Sequence, residues 1–367
     1  MLRTLVFACI SAALIGFCST ISSPAPAATI NIVPGPALEA NAPALAAFNR
    51  AAMQWQQRLA DPITIRIEAD LFDLGAAVVN DTFVEVNFLS YKDEIRPALI
   101  ADAADEPSNG IVSFLPTGED DNPLEVFLPD GFTPTLTSQV PTANLKALGL
   151  VPSYPDDNPT EADGFIDINT FSSDVDFDFD NSDGVASLHI DFETFVAREI
   201  GHVLGFYSDA DFVDQVLGGE AEIGSGQVAL TPMDLFRFQD EGGNVPTNEA
   251  EFNSFARSLH DSNQEVFSDA ASAWRLSSGE FDGDGNRSDT WKDNALVGDP
   301  GDPPIGIMDP TVPLSFLDQT GVTEISDADL RVLDLIGYDL VPEPSSALLA
   351  MIAVCCLALR PVRARKK

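Results

Sequence analysis

Cysteine is missing from the interior of this chain. Its four cysteines, Cys9, Cys18, Cys355 and Cys356, lie in the two end segments, so residues 29–340 hold none. This absence excludes a disulfide or a thiolate metal site within the interior. Histidine is also scarce, since the whole chain contains 3. Any metal bound there would need histidine together with carboxylate or carbonyl oxygen.

Positive charge is the second shortage. Residues 28–341 contain 13 basic and 57 acidic side chains, a formal net charge of −44. A surface of this kind repels nucleic acid and anionic lipid and attracts divalent cations. The sequence therefore predicts no nucleic-acid partner, and it makes calcium a candidate cofactor.

Long apolar runs occur only at the two ends of the chain. Residues 1–28 carry Arg3 and an apolar stretch over 5–17, and they finish in small residues. This is the layout of a secretory signal peptide. The apolar stretch is shorter than the roughly 20 residues that a membrane span needs. We therefore expect an exported protein whose folded part begins at residue 29.

The other end, residues 341–367, combines Pro342-Glu343-Pro344, an apolar run over 347–359 and a basic terminus. This combination resembles the PEP-CTERM sorting tail, and the basic cluster fits the positive-inside rule. The resemblance implies transient anchoring in the inner membrane, an exosortase-type processing enzyme as partner, and a final location at the cell surface or in the extracellular matrix. A plain C-terminal anchor is the alternative, although the run is shorter than the roughly 20 residues of a span.

The interior, residues 29–340, is long enough for one large domain or two modest ones, and its patterns fit an α+β fold. Asn41 and Pro43 precede apolar residues spaced by three and four, which is typical of a helix with one buried face. Isoleucines alternate with polar side chains over 63–67, and this predicts a half-buried strand. The apolar positions of the helix are Leu45, Phe48, Ala52, Trp55 and Leu59.

A further helix is predicted near the end of the interior. Ser326 and Asp329 match a capping box, and Gly337 can end the helix in the left-handed conformation. The helix has a narrow apolar stripe, so its expected role is packing. The stripe consists of Leu330, Leu333 and Ile336.

A run of aspartates between residues 174 and 183 is the candidate calcium site. Carboxylates are hard oxygen ligands of the kind that Ca²⁺ prefers. The run lacks the glycine and the distal glutamate of an EF-hand loop, and an alternating, solvated strand explains the same pattern. The candidate ligands are Asp174, Asp176, Asp178, Asp180 and Asp183.

Residues 192–206 predict the helix that carries chemistry. Apolar side chains recur there at helical spacings, and Gly205 can end the helix in the left-handed conformation. Positions 198 and 202 are four residues apart, so they lie on the same side of the helix. Arg198 and His202 occupy these positions, and Glu199 lies between them.

This helix and two later segments resemble secreted bacterial zinc metalloproteases. Residues 199–206, Glu-Ile-Gly-His-Val-Leu-Gly-Phe, match the HExxHxxGF signature of that family from its glutamate onward. Residues 232–238 and 306–310 resemble its M-D-L-F-R and G-I-M-D-P segments. The resemblance implies a zincin-like metalloprotease domain with a mixed sheet and an active-site helix, with zinc as cofactor and protein or peptide as substrate.

The resemblance also assigns roles to individual residues. It makes Glu199 the catalytic residue that activates metal-bound water, and His202 a zinc ligand. Met308 corresponds to the Met-turn that lies under the zinc in metzincins. These roles are expectations carried over position by position.

Two positions depart from the family pattern. Arg198 stands where the first zinc histidine belongs, and Thr290 stands where a further histidine is expected. A guanidinium about 5 Å from Zn²⁺ is opposed by about 6–7 kcal/mol at an effective dielectric near 20. Asp209 and Asp211 follow the helix closely and are the candidate replacement ligands. Alternatively, Arg198 holds Glu199 or a neighbouring carboxylate in a structural ion pair.

The sequence thus predicts an exported PEP-CTERM protein of a zinc metalloendopeptidase family in which catalysis is impaired or absent. The alternative is a non-catalytic protein of the extracellular matrix or cell surface that is stabilised by calcium. The composition of the chain fits both hypotheses.

Overall fold

The computed structural model describes residues 28–75, 79–150, 161–169, 176–240, 243–260, 264–281, 286–292, 305–310 and 324–342. Of the predicted signal peptide only Ala28, and of the predicted sorting tail only residues 341–342, lie within these ranges; Ala28 is buried in the domain, and its N–H donates to the carbonyl oxygen of Leu59 at 3.2 Å. Within the described ranges the fold is mixed α and β, as predicted, and its largest sheet is mixed. No helix in these ranges is both long enough and apolar enough to cross a bilayer.

Short strands and helices alternate along the chain. The strands are β1 (Thr29–Pro34), β2 (Thr64–Phe72), β3 (Asn80–Val84), β4 (Val86–Ser90), β5 (Val126–Phe127), β6 (Thr133–Pro134), β7 (Thr137–Pro141), β8 (Gly164–Asn169), β9 (Asp176–Asp178), β10 (His189–Asp191), β11 (Gln227–Val228), β12 (Arg237–Gln239), β13 (Arg257–Ser258), β14 (Glu265–Ser268) and β15 (Ala273–Arg275). The helices are α1 (Pro36–Ala40), α2 (Ala42–Gln56), α3 (Arg96–Asp102), α4 (Thr142–Ala147), α5 (Phe192–Leu204), α6 (Ala210–Gly218), α7 (Glu249–Ser254) and α8 (Asp327–Leu335).

The largest sheet has the strand order β1-β2-β8-β3. Strands β1, β2 and β8 run parallel, whereas β3 runs antiparallel to β8 and forms an edge. Ile65 and Ile67 of β2 are fully buried, while Thr64 is exposed. The half-buried strand predicted over 63–67 is therefore confirmed, and it continues to Phe72.

Helix α2 is the predicted N-terminal helix. Asn41 caps it by accepting a hydrogen bond from the backbone N–H of Ala44, and Pro43 lies in its first turn. Phe48, Ala52 and Trp55 of the predicted stripe are buried against the sheet and α5, whereas Leu45 is only partly buried and Leu59 lies beyond the end of the helix. At the end of the stripe, Trp55 Nε1 donates to the carbonyl oxygen of Ala197 at 2.8 Å. This bond fixes α2 against α5.

Helix α5 is nearly enclosed by the rest of the domain. Asp191 caps it by accepting from two N–H groups of its first turn, and Gly205 ends it with φ of 129°. On β8, Gly164 lets α5 approach the sheet closely, because a Cβ there would lie 2.6 Å from Val203 Cγ2. The sequence prediction of this helix and its ending is confirmed.

The segment 305–310 lies under α5. A Cβ atom on Gly201 would meet Met308 Sδ at 2.3 Å and Trp55 Cζ2 at 3.2 Å. The lack of a side chain at Gly201 therefore lets the sulfur of Met308 approach the helix backbone directly. Met308 is fully buried in this position.

Asp329 holds the segment under α5 in place. Ser326 and Asp329 form the predicted capping box of α8. The buried carboxylate of Asp329 also accepts from Trp291 Nε1 at 2.7 Å and from the backbone N–H of Ile307 at 2.8 Å. Gly337 follows the helix with φ of 109°, which is consistent with the predicted end.

The last described residues return to the N-terminal half. We call residues 338–342 the C-terminal strap, and it pairs with residues 58–61 through backbone hydrogen bonds. The backbone N–H of Asp339 also donates to Asp61 Oδ2 at 3.1 Å. Burial raises the pKa of Asp61 to about 7, and the negative charges of Asp339 and Asp102 add to this effect.

Replacing Gly201 with alanine should destabilise the domain by about 1–3 kcal/mol, because the added methyl group overlaps the buried Met308 and crowds Trp55. Helix propensity alone predicts the opposite sign, by about 1 kcal/mol. Urea unfolding distinguishes the two effects. Gly110→Ala is the matched control, since nothing lies within 4 Å of its added Cβ. A Gly201→Ala variant as stable as the parent would contradict close contact between Met308 and α5.

Asp61→Asn should flatten the dependence of stability on pH. The pKa of Asp61 in the folded protein, about 7, lies above its ordinary value of 3.8. The stability that protonated Asp61 contributes is therefore fully present below pH 3.8. This stability is lost as the pH rises through 7, by up to about 4 kcal/mol. Asparagine keeps the oxygen that accepts from Asp339 and cannot ionise. Urea unfolding near pH 4 and near pH 8 should show a gain for the variant only at the higher pH. An equal difference in stability between variant and parent at both pH values would contradict this link between the Asp61 pKa and stability.

Candidate functional site

A cleft of about 420 Å³ opens beside α5, the edge strand β3 and the loop 286–290. Four of the residues singled out from the sequence line it, namely Arg198, Glu199, His202 and Thr290. The structure therefore brings together residues that are far apart in the chain. Asp209, Asp211 and Met308 do not line the cleft.

Arg198 and Glu199 form an ion pair at the cleft. Arg198 Nη2 and Nε donate to Glu199 Oε1 at 2.8 Å and 3.1 Å. Arg198 Nη1 donates to the carbonyl oxygen of Pro310 at 2.9 Å. The guanidinium carbon also lies 5.2 Å from the ring centre of Phe195. The structural ion pair considered from the sequence is thus present, and it joins α5 to the segment beneath it.

The second oxygen of Glu199 is held by the edge strand. Asn80 Nδ2 and Thr82 Oγ1 donate to Glu199 Oε2 at 2.8 Å and 2.7 Å. The two donors are alternate residues of β3, so they face the same side of the sheet. Sequence reasoning missed both of them. Polar residues two apart on a strand are common, and nothing local pairs them with α5.

Glu199 is ionised although it is only 1% exposed. Burial opposes the charge, but the positive charge of Arg198, the neighbouring His202 and the hydroxyl of Thr82 outweigh it. Together they lower the pKa of Glu199 below its ordinary 4.5. A carboxylate that accepts four hydrogen bonds has its acceptor sites filled. It is poorly placed to take up a proton near neutral pH.

His202 lies one turn further along α5 and is buried. Its Nδ1 is 2.8 Å from the carbonyl oxygen of Phe206 and 3.3 Å from Asp289 Oδ2. A hydrogen bond from Nδ1–H to a carbonyl leaves Nε2 as the nitrogen with a free lone pair. Metal-binding histidines are commonly oriented by such a bond. His202 therefore keeps the tautomer of a ligand.

Behind His202, Arg287 and Asp289 form a second ion pair. Arg287 Nε and Nη2 donate to the two oxygens of Asp289 at 3.0 Å and 2.7 Å. Burial opposes ionisation of Asp289, but Arg287 and His202 hold its pKa well below the usual range. Burial and the Asp289 charge raise the pKa of Asp211, whose Oδ1 accepts from the backbone of Ser288. Asp211 thus belongs to the buried network around the Arg287–Asp289 ion pair.

Asp209 belongs to a different buried network. Its Oδ2 accepts from the backbone N–H of Ala229 at 3.0 Å, and its own N–H donates to Asp234 Oδ2 at 3.1 Å. Asp234 also accepts from Ser208 Oγ at 2.5 Å. Burial, followed by the charge of Asp234, raises the pKa of Asp209 to about 7. These bonds stabilise the loop that follows α5.

Thr290 reaches the cleft on the loop that also carries Asp289. Its Oγ1 donates to the carbonyl oxygen of Arg287 at 2.7 Å. The loop is supported by the fully buried Arg237, which donates to the carbonyl oxygen of Ser288 at 2.8 Å. The position expected to hold a further histidine therefore faces the same cleft as His202.

The side chains at the cleft do not provide the ligands of a zinc site. His202 offers a nitrogen ligand, but Arg198 offers none, because a guanidinium has no acceptor. The oxygens of Asp209 and Asp211 accept from backbone N–H groups elsewhere. In the part of the chain that the structure describes, no three His, Cys, Asp or Glu side chains are grouped to hold a metal ion. The charges and hydrogen-bonding groups of Arg198 and Glu199 fit an ion pair instead.

The candidate calcium ligands are only partly described, since Asp174 lies outside the described residues. Asp176 and Asp178 lie in β9, which pairs with β10. Asp180 caps the turn at Asn181–Asp183 by accepting a hydrogen bond from the N–H of the middle residue of that turn. The Asp178 carboxylate accepts from backbone N–H groups of nearby residues. β9 matches the alternating strand that the sequence offered as the alternative to a calcium site. Calcium binding stays a prediction.

Arg198→Ala should destabilise the domain by about 3–5 kcal/mol, because Glu199 would stay buried without its counter-charge. Adding Glu199→Gln should recover part of this loss. The pH dependence should also reverse. In the parent, the stability from Glu199 is present above its ordinary pKa of 4.5 and is lost as the pH falls. In Arg198→Ala its pKa rises, and stability is lost as the pH rises.

Arg50→Ala is the matched control in urea unfolding. Arg50 pairs with Glu193 at 2.6 Å, but its side chain is 41% exposed. Removing such a pair should cost no more than about 1 kcal/mol. An equal cost for Arg198→Ala and Arg50→Ala, with parallel pH profiles, would contradict the buried role of the Arg198 pair.

No protein-family model, no curated protein and no solved structure matches this chain. The resemblance to secreted zinc metalloproteases therefore rests on the motif segments around Glu199, Asp234 and Met308 alone.

Proposed function

We propose that the chain is an exported member of a zinc metalloendopeptidase family in which an ion pair has replaced the metal, so that catalysis is impaired or absent. The zincin-like motif lies on a buried helix beside a mixed sheet, as such a domain requires. Met308 lies directly under that helix, next to the residue that precedes His202. Thr290 and His202 line the same cleft.

The observation that carries this proposal is the position of the Arg198 guanidinium. It bonds to Glu199 and to the carbonyl oxygen of Pro310. In a zincin, position 198 would supply the first metal ligand, and Glu199 would be free to take a proton from water. Here Arg198 and Glu199 are paired with each other, so neither side chain is available for these roles. On this proposal the domain keeps the motif-bearing helix and its cleft, while the residue at the first ligand position and Glu199 are both engaged in a structural ion pair.

Export and sorting belong to the same proposal. The signal peptide at 1–28 would direct the chain across the inner membrane. The tail at 341–367 would hold it there until an exosortase-type enzyme removes the tail. The strong negative charge of the interior suits a surface or matrix location better than contact with nucleic acid or anionic lipid. Protein or peptide remains the proposed ligand class of the cleft.

Zinc binding provides the test. The parent should bind zinc weakly and substoichiometrically after dialysis, and it should not cleave casein. Arg198→His restores the pair of histidines at i and i+4 and removes the opposing charge, so its zinc affinity should rise by at least about tenfold. Arg198→His with Thr290→His should bind more tightly still. Metal content by mass spectrometry and zinc calorimetry measure both effects.

Arg66→His is the control for this series, because Arg66 pairs with Glu68 on the sheet and does not line the cleft. It should leave zinc affinity at the parent level. Tight, stoichiometric zinc in the parent, together with casein hydrolysis that Glu199→Gln abolishes, would overturn the proposal. That result would mean that Arg198 leaves the cleft when metal arrives.

A further inference from the structure

Two aspartates meet where the C-terminal strap docks on the N-terminal half. Asp61 Oδ2 accepts from the backbone N–H of Asp339 at 3.1 Å, so the Asp61 carboxylate lies at the start of the strap. Asp61 is only 4% exposed, and water therefore compensates its charge poorly. Asp102, the last residue of α3, lies close to the same place. A Cβ added to Gly337, the residue before the strap, would lie 3.7 Å from Asp102 Oδ2.

A further pair of carboxylates belongs to the same region. Glu106 Oε2 and Asp334 Oδ1 accept from one nitrogen, Nδ2 of the fully buried Asn109. Arg331 donates to the other oxygen of Asp334, but it also donates to Asp269 Oδ2 at 2.7 Å. Its single positive charge is therefore shared between two carboxylates. Glu106 is bonded to a neutral amide, and that bond does not compensate its negative charge.

Tyr338 anchors the start of the strap and takes no part in the titration. It is fully buried, and its hydroxyl donates to the carbonyl oxygen of Leu204 at 2.7 Å. Burial, with the charges of Asp61 and Asp163 added, raises the pKa of Tyr338 well above its ordinary value of 10, so the phenol stays protonated. Asp163 is itself balanced by Lys146, whose Nζ lies 2.6 Å from it. The groups that can titrate at the strap are therefore carboxylates.

Negative charge exceeds positive charge around the strap. Arg58 belongs to the stretch 58–61 that pairs with the strap, and Arg331 is shared as described above. The carboxylates near the strap, together with the exposed ones that line a groove with Asp102, outnumber these two arginines. They are Asp61, Asp102, Glu106, Asp334, Asp339, Asp93 and Glu94.

Three of these carboxylates hold a proton in mildly acidic solution. Burial, with the charge of Asp339 added, raises the pKa of Asp61 to about 7 and that of Asp102 to about 6. Burial, followed by the charges of Asp334 and Asp339, raises the pKa of Glu106 to about 7. As neutral acids the three side chains tolerate one another, whereas their ionised forms repel Asp339 and each other.

Detachment of the strap removes both causes of the raised pKa values. It exposes Asp61 and Asp102 to water, and it carries the charge of Asp339 away. The pKa of each group then falls toward its ordinary value, so the detached form binds fewer protons than the docked form. Docking is therefore strongest near pH 4 and below, and it weakens as the pH rises through about 6 and 7.

We propose that residues 339–342 form a pH-dependent latch, docked in mildly acidic solution and detached in mildly alkaline solution while the rest of the domain stays folded. Besides the bond to Asp61, the Ala60 N–H donates to the carbonyl oxygen of Asp339 at 2.8 Å. The Val341 N–H donates to the carbonyl oxygen of Arg58, also at 2.8 Å. Few bonds therefore have to break for these residues to detach.

Little apolar surface holds the latch in place. Asp339, Val341 and Pro342 are exposed, and Leu340 is partly buried against the core. Uncovering so few apolar groups costs little free energy, so changes in carboxylate charge are large enough to decide between the two positions. Gly337 and the buried Tyr338 mark the point up to which the chain stays attached.

The latch includes Pro342, the first residue of the Pro-Glu-Pro tripeptide. If the tail is a sorting signal, as the proposed function has it, detachment would free this tripeptide for the processing enzyme. That role rests on the proposed function. The latch itself does not, and its test requires no removal of the tail.

Hydrogen exchange of the full-length protein in mild detergent, followed by mass spectrometry, measures the opening of the latch. Peptides covering residues 58–61 and 339–342 report on it, and peptides within β2 report on the sheet. After correction for the intrinsic pH dependence of amide exchange, protection at the latch should fall by at least about tenfold between pH 5 and pH 8, since opening releases at least one proton. At pH 8 the amides of β2 should remain at least about a hundredfold better protected than those of the latch.

Two single variants separate the charge of the strap from its fold. Asp339→Asn removes a negative charge from an exposed position, so protection at the latch should rise by at least about threefold at pH 8 and stay unchanged at pH 5. Asp327→Asn is the matched control, because Asp327 is also exposed and its charge is not among those that act on the three protonated carboxylates. It should leave protection at the parent level.

The triple variant Asp61→Asn with Asp102→Asn and Glu106→Gln should keep the latch closed at pH 8 as firmly as at pH 5. Protection of the latch that does not vary with pH, or equal effects of Asp339→Asn and Asp327→Asn, would overturn the proposal. Loss of protection in β2 together with the latch would also overturn it, because the whole domain would then be opening. A tail that stays uncut in its native cell would contradict the sorting proposal and leave these exchange results unchanged.

Discussion

Burial of the Glu199 carboxylate is the constraint around which the cleft is organised. A charge that is almost fully enclosed must be matched by opposite charge and hydrogen bonds, because its desolvation is costly. A divalent metal or a cationic side chain can supply the positive charge. This sequence has the second, in Arg198, and the edge strand completes the set through Asn80 and Thr82. Position 198 therefore decides both the chemistry and the local stability.

The charges behind His202 follow the same logic. Asp289 is fully buried and is paired with Arg287, while His202 lies close to both Asp289 and the Phe206 carbonyl. Glu199 and Asp289 thus each have an arginine partner. The two ion pairs compensate the charge of these two carboxylates, although Asp81 and Glu280 also line the cleft and the chain as a whole is strongly acidic. Neither paired carboxylate needs an external cation to balance its charge.

The helices were predictable because their signals are local. The caps at Asn41 and Ser326 and the glycine at 205 lie within one turn of the helix ends that they mark. The partners of the site were not predictable in this way. Asn80 and Glu199 are 119 residues apart, and only the order of strands in the sheet brings them together. Asp209 and Asp211 illustrate the converse, since closeness to α5 in sequence made them candidates while their oxygens accept from distant N–H groups.

The C-terminal strap gives the domain a defined mechanical attachment point. The proposed sorting tail continues directly from it, and the strap is bonded to residues 58–61 at the end of α2. If the proposed tail holds the chain in a membrane, any pull on the domain would be transmitted first to these few hydrogen bonds. The load then passes to α2 and, through Trp55, to α5. Tension during export would accordingly be felt at the helix that carries the cleft, and it would end when the tail is cut.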